Sequence, residues 1–341
     1  MNRFVTLKIV GLSFITLALL VSPANSTAKT LVIKLATLAP EGSSWIETFK
    51  SIDKEVRGKT DKQVRFKFYP GGVLGDEKDM LRKMHIGQIH GAALTSAGLS
   101  AIFNEMDVFQ IPFLFESYNE IDYVLKEMDA FFRKGFDKNN YILLGWSEGG
   151  FVRLMSTTPV ATLDDLRKVK VWTWADSPMT KVIFDEANVS AIPLSVPDVL
   201  VGLQTGLVDL VYAPPIGAIS LQWFTKIKYM TDVNLIYLIG AVVMKKKVFD
   251  KISPAHQKIL MDVCQRQMAR LKTTIRKENQ EAIQVMIKHG VKIITPSPEQ
   301  VAEFKKVSAK AMQRIEGKSF SKKVRDEVTA NINTYRKKNQ Q

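Results

Sequence analysis

The residues able to do chemistry are few and badly spaced for it. His85 and His90 are five apart, off a common helix face, whereas a His-Glu-x-x-His metal helix needs a spacing of four. His256 and His289 stand alone on a long helical segment. Cys264 has apolar neighbours in mid-helix, where a thiol is inert, and a single cysteine excludes an internal disulfide and a four-cysteine zinc site. Asp76 and Glu77 open a helix, where carboxylates act as caps, and no carboxylate pair is marked out for acid–base work. No Gly-x-x-x-x-Gly-Lys-Ser/Thr phosphate loop occurs, and no Gly-x-Gly-x-x-Gly follows the first strand. The expectation is no catalytic residue, no metal and no cofactor.

Binding chemistry is better represented. Trp45, Trp146, Trp172, Trp174 and Trp223 all fall at strand ends, helix starts or connecting segments. Open α/β sheets bind ligands at the carboxyl ends of strands, and pockets favour aromatic walls with a few polar groups. Core packing is the competing role for each of them. Trp172 and Trp174 share one face of a strand, so they line one wall or fill one core layer together.

The elements that must position these residues follow from periodicity. Residues 31–36 read as a strand, 44–56 as a helix with a Ser44/Glu47 capping box, and 63–69 alternate as a half-buried strand. Residues 91–95 make another buried strand. Residues 141–146 and 151–155 read as two strands, with Glu148-Gly149-Gly150 as a change of direction. A second α/β pattern runs over 169–212, and 234–244 forms a long apolar strand returning to the first unit. Residues 254–289, without internal Pro or Gly, form one helix about 50 Å long. The strand–helix–strand repetition favours parallel sheets covered on both faces. The units expected are 29–150 with 234–250, then 151–233, the long helix 254–289, and basic C-terminal helices over 290–341.

The 341 residues carry a formal charge of +14, which on its own points to a polyanion partner. The amino terminus argues otherwise. Arg3 and Lys8 precede an apolar run over 9–21, then Pro23 and small residues, the pattern of a secretory signal peptide over 1–28, cut after Ser26 or Ala28. The run is short for a membrane span, which needs about 20 apolar residues, and no cysteine is near to take a lipid. The mature protein is expected in the periplasm, away from nucleic acid. Eleven of the excess positive charges lie from Gln265 onward. They are either solvated helix faces or a docking surface for an acidic protein or an anionic membrane.

Five segments then carry a resemblance: Tyr69-Pro-Gly-Gly-Val-Leu-Gly-Asp76, Ile111-Pro-Phe-Leu-Phe115, Trp146-Ser-Glu-Gly-Gly-Phe-Val-Arg153, Leu163-Asp-Asp-Leu-Arg-Lys-Val-Lys-Val171 and Leu203-Gln-Thr-Gly-Leu-Val-Asp209. In this order they resemble the periplasmic substrate-binding subunit of tripartite ATP-independent periplasmic (TRAP) transporters, dicarboxylate-receptor type. The resemblance implies an α/β fold of the two-domain periplasmic binding protein kind, each domain a mixed sheet flanked by helices, with the long helix spanning both. It implies closure over a small-molecule solute and delivery to membrane permease subunits driven by an ion gradient. An arginine pairing with the solute's carboxylate is the family pattern, yet Trp172 stands in its place. Two polar positions of the family are Val211 and Ala213. Arg153 matches a second basic position, as a candidate anion contact or an ion pair. The expected ligand-binding set is Trp45, Thr95, Ser96, Arg153, Trp172, Trp174, Val196, Tyr212, Ala213 and Trp223, and the expected solute is apolar or a monocarboxylate. The alternative is a receptor of the same fold for a hydrophobic or lipid-like ligand, serving a sensor or scaffold.

Overall fold

The computed structural model describes residues 30–174 and 177–339, so the expected signal segment lies outside the described residues. The chain opens with β1 (Leu31–Thr37), α1 (Ser44–Lys59), β2 (Val64–Tyr69), α2 (Glu77–His85), β3 (Gly91–Thr95), α3 (Ser96–Ile102), α4 (Tyr118–Lys138) and β4 (Tyr141–Phe151). There follow β5 (Arg153–Ser156), α5 (Leu163–Arg167), β6 (Val171–Trp174), α6 (Pro178–Glu186), β7 (Ala191–Leu194), α7 (Val199–Thr205), β8 (Leu210–Ala213), α8 (Pro215–Ser220) and β9 (Tyr229–Thr231). The last stretch holds β10 (Tyr237–Lys245), α9 (Lys246–Phe249), α10 (Pro254–Lys288), β11 (Lys292–Ile294), α11 (Pro298–Ile315) and α12 (Lys322–Asn339).

Two sheets result, ordered β2-β1-β3-β10-β4 and β11-β9-β5-β8-β6-β7. Both are mixed rather than parallel throughout, because β10 runs antiparallel to β3 and β4, and β5 antiparallel to β8 and β9. The strands that return between sheets, not the βαβ units, introduce the reversed direction. Helices cover both faces of the first sheet. The α1 stripe Ile46, Phe49, Ile52 and Val56 is buried with α10 and β2 residues, each side chain contributing about 1.5–3 kcal/mol. On the other side α4 and α12 bury Val124, Met128, Phe132, Val328 and Ile332. The segment after the long helix includes the strand β11, which pairs with β9, as well as two helices.

The expected turn at Glu148-Gly149-Gly150 is absent: β4 runs through it to Phe151. The glycines instead make a bulge, with the register against β10 shifting between Leu238 and Ile239. Gly150 has φ +106°, and a Cβ there would come within 2.5 Å of Asn279 Nδ2. Beyond the bulge the chain passes into the second sheet through Val152, which exchanges backbone hydrogen bonds with Leu235 and Ile236 of the returning segment (3.0 and 2.9 Å). These paired strands and α10 are the connections between the sheets.

Candidate functional site

The carboxyl ends of β1 and β3 and the start of α3 look across a gap at the ends of β6 and β8. A cavity of about 160 Å³ lies there, with Trp45, Thr95 and Ser96 on the first-sheet side. On the other are Trp172, Trp174, Val196, Tyr212, Ala213 and Trp223. Nine of the ten sequence-derived candidates thus line one cavity. Arg153 is the correction: it is absent from the wall, and its guanidinium pairs with Asp232 at 2.6 Å. Side chains alternate along an extended chain, so with Val152 facing the cavity, Arg153 turns away.

The aromatic wall is a packed cluster. Trp172 is 1% exposed, with ring centroids 4.9 Å from Tyr212, 5.3 Å from Trp223 and 5.6 Å from Trp174. It therefore fills the core of the second sheet and forms cavity wall at once. Its indole N–H is spent on the Leu194 carbonyl at 3.1 Å. Trp146 packs in the first core instead, edge-on to Phe132, with its N–H on Asp129.

The opposite end is polar. Glu77 is buried at the start of α2, where it accepts hydrogen bonds from the Thr95 amide (2.6 Å), the Thr95 hydroxyl (2.9 Å) and the Gly98 amide (2.8 Å). Burial raises its carboxyl to about 7, reinforced by the neighbouring charge of Asp76 and opposed by those hydrogen bonds. Beside it, the Ser96 hydroxyl is buried in the cavity wall without a hydrogen-bond partner among the described residues. Leaving such a group unpaired costs about 1–3 kcal/mol, which a polar atom of a bound solute would recover.

Glu77 and Glu148 are the charged residues of the wall; among the described residues no Lys, Arg or His lines it. Glu148 is already paired. Arg276 of α10 reaches its two oxygens at 2.8 and 3.0 Å, and the Tyr237 hydroxyl donates to it as well. Sequence reasoning missed both carboxylates. Glu77 has a sufficient local reason as a helix-start residue, and Glu148 finds its partner 128 residues away.

A clasp crosses the gap. Asp76 caps α2 and also accepts from the Trp174 indole (3.2 Å) and the Val196 amide (3.0 Å) of the opposite side. Nearby, Gly72 has φ +69°, and a Cβ there would lie 2.8 Å from Pro197 Cγ. The Pro-Gly-Gly turn thus lets the first side approach the second closely.

Two α/β halves, joined by paired strands and a long helix, with a cavity in the gap between them, define a solute receptor of the binding-protein class. The chain belongs to the DctP family, bacterial extracellular solute-binding protein family 7, which it matches over residues 35–319. It is 27% identical over 256 residues to the 2,3-diketo-L-gulonate-binding periplasmic protein YiaO of Escherichia coli K12, covering 72% of this chain and 75% of that protein. It is 25% identical over 296 residues to the C4-dicarboxylate-binding periplasmic protein DctP of Rhodobacter capsulatus, covering 84% and 85%. The sugar acid binding protein DctPAm of Advenella mimigardefordensis, solved with galactonate, superposes with a TM-score of 0.84 at 19% identity over 90% of this chain and 99% of that one. A TRAP periplasmic solute binding protein of Desulfovibrio salexigens, solved with orotic acid, gives 0.80 at 19% over 88% and 99%. The family is one of extracytoplasmic receptors that deliver small-molecule solutes to TRAP permease components. No helix among the described residues is long and apolar enough to cross a membrane.

Proposed function

We propose that this receptor takes a neutral, amphipathic solute and hands it to a TRAP permease. A ring or hydrocarbon portion lies against Trp172, Trp174, Tyr212 and Trp223, and a hydroxyl, amide or carbonyl meets Thr95 and Ser96. The observation that carries this reading is a cavity wall with two carboxylates and no cationic side chain. Burying a carboxylate without a charged partner costs several kcal/mol, so an ionised acid is disfavoured in such a site. Relatives described with sugar acids and dicarboxylates set the contrary expectation. Because Arg153 is engaged by Asp232, a monocarboxylate loses the contact that the sequence had left open for it. The test is to purify the protein from its native periplasm without refolding, extract the bound solute and identify it by mass spectrometry. An uncharged amphipathic molecule is expected; a dicarboxylate or sugar acid at stoichiometric amount would overturn the reading.

A further inference from the structure

A second cavity, of about 90 Å³, lies behind the first, between α5, α6, α11 and the returning strand segment. Phe113, Leu154, Leu166, Phe184, Ala187 and Phe304 give it an apolar lining. Val152, Thr180, Tyr212 and Ile236 belong to both walls, so the two spaces are separated by single side chains. The Tyr212 ring is the main partition, with Trp172 of the first cavity at 4.9 Å on one hand and Phe184 of the second at 6.0 Å on the other. The space is partly open and its lining is almost wholly apolar, the kind of recess that accepts apolar groups. The outer wall is also held in an unusual conformation: Phe113 has φ +58° while its amide donates to the Leu235 carbonyl at 2.7 Å. A bulky residue in the left-handed region is disfavoured, so the surrounding structure fixes that ring against the cavity.

We propose that the second cavity is a tail pocket for the same solute, which makes the ligand class an amphipathic molecule with an uncharged aliphatic or arylalkyl chain. This rests on the reading of the first cavity as the site of the polar end. The polar group stays at Thr95 and Ser96, the middle lies along Trp172, and the chain continues past Tyr212 as that ring turns aside.

The experiment uses N-alkylacetamides from ethyl to decyl as probes, with affinity measured by calorimetry on the full mature chain. In the wild type, affinity rises by about threefold to fourfold per methylene until the chain has filled the second cavity. Ala187→Phe fills that cavity from the residue that ends α6: short probes bind as in wild type, and the longest lose at least tenfold. Ser308→Leu fills it from α11 and serves if the first variant does not fold. Short probes binding with no gain on lengthening, or long probes indifferent to both variants, would overturn the tail pocket and leave the first-cavity reading standing. Failure of every probe on the wild type would strike that reading, and the tail pocket with it.

Discussion

Glu77 shows what a single residue can hold in two roles. It starts a helix, where any carboxylate would be welcome, yet it is buried in a cavity wall at a carboxyl pKa of about 7. In the unfolded chain the group titrates near its ordinary value of 4.5. The folded state therefore keeps a proton that the unfolded chain has released. Its contribution to stability is whole below about pH 4.5 and declines as pH rises through 7, by about 3 kcal/mol at most. Thermal denaturation between pH 4.5 and 8 should show this slope in the wild type and a flatter one in Glu77→Gln, whatever the variant's absolute stability. Equal slopes would place the titration elsewhere. The protonated carboxyl can also donate to the Thr95 hydroxyl, which frees that hydroxyl's own hydrogen for a solute. Legibility differed sharply between residues here: Trp172 and Trp174 were readable because large aromatics at strand ends have few roles. Arg153 stayed open between an anion contact and an ion pair because the direction of a side chain at a sheet-to-sheet crossing depends on the bulge before it.

Among the elements, α10 does more than span the halves. Its Arg276 ties Glu148 of β4 to Asp122 of α4, over the face of the Tyr118 ring at 4.5 Å. One turn on, Asn279 donates to the Gly149 carbonyl at 2.7 Å and accepts from the Ile216 amide at 3.1 Å. The helix thus fastens the bulge from which the chain leaves the first sheet and the start of α8. Arg276→Met leaves the buried Glu148 carboxylate without its cation and should cost about 3 kcal/mol in chemical denaturation. Adding Glu148→Gln should restore at least half of that; an additive loss would show that the pair is not coupled. Helices and strands were largely legible because apolar periodicity is local. The Glu148-Gly149-Gly150 segment was not, since glycines serve a bulge as well as a turn and only the partner strand β10 chooses between them. The C-terminal cations likewise look surplus in sequence, yet Arg266, Arg276, Arg314 and Arg336 pair with Glu55, Asp122, Glu186 and Glu120 from distant elements.

For the whole molecule the decisive contact is the clasp of Asp76 on Trp174 and Val196. Hydrogen bonds to a charged acceptor are worth about 1.5–3 kcal/mol when shielded, enough to bias closure of the two halves. Trp174→Phe keeps an aromatic ring in the wall and removes the indole N–H together with part of the ring surface. It should weaken solute binding about tenfold and increase the radius of gyration of the ligand-free protein in solution scattering. No change in either would mean that closure does not depend on the clasp. Sequence alone determined the class of fold and the family, and it pointed to the aromatic residues of the cavity wall, because periodicity and short ordered motifs are written in contiguous residues. Tertiary structure alone decided the charge of the site. Whether Arg153 points inward, whether Glu148 is neutralised and whether Glu77 loses its solvent depend on residues brought together from far along the chain, since electrostatics follows distance in space and burial.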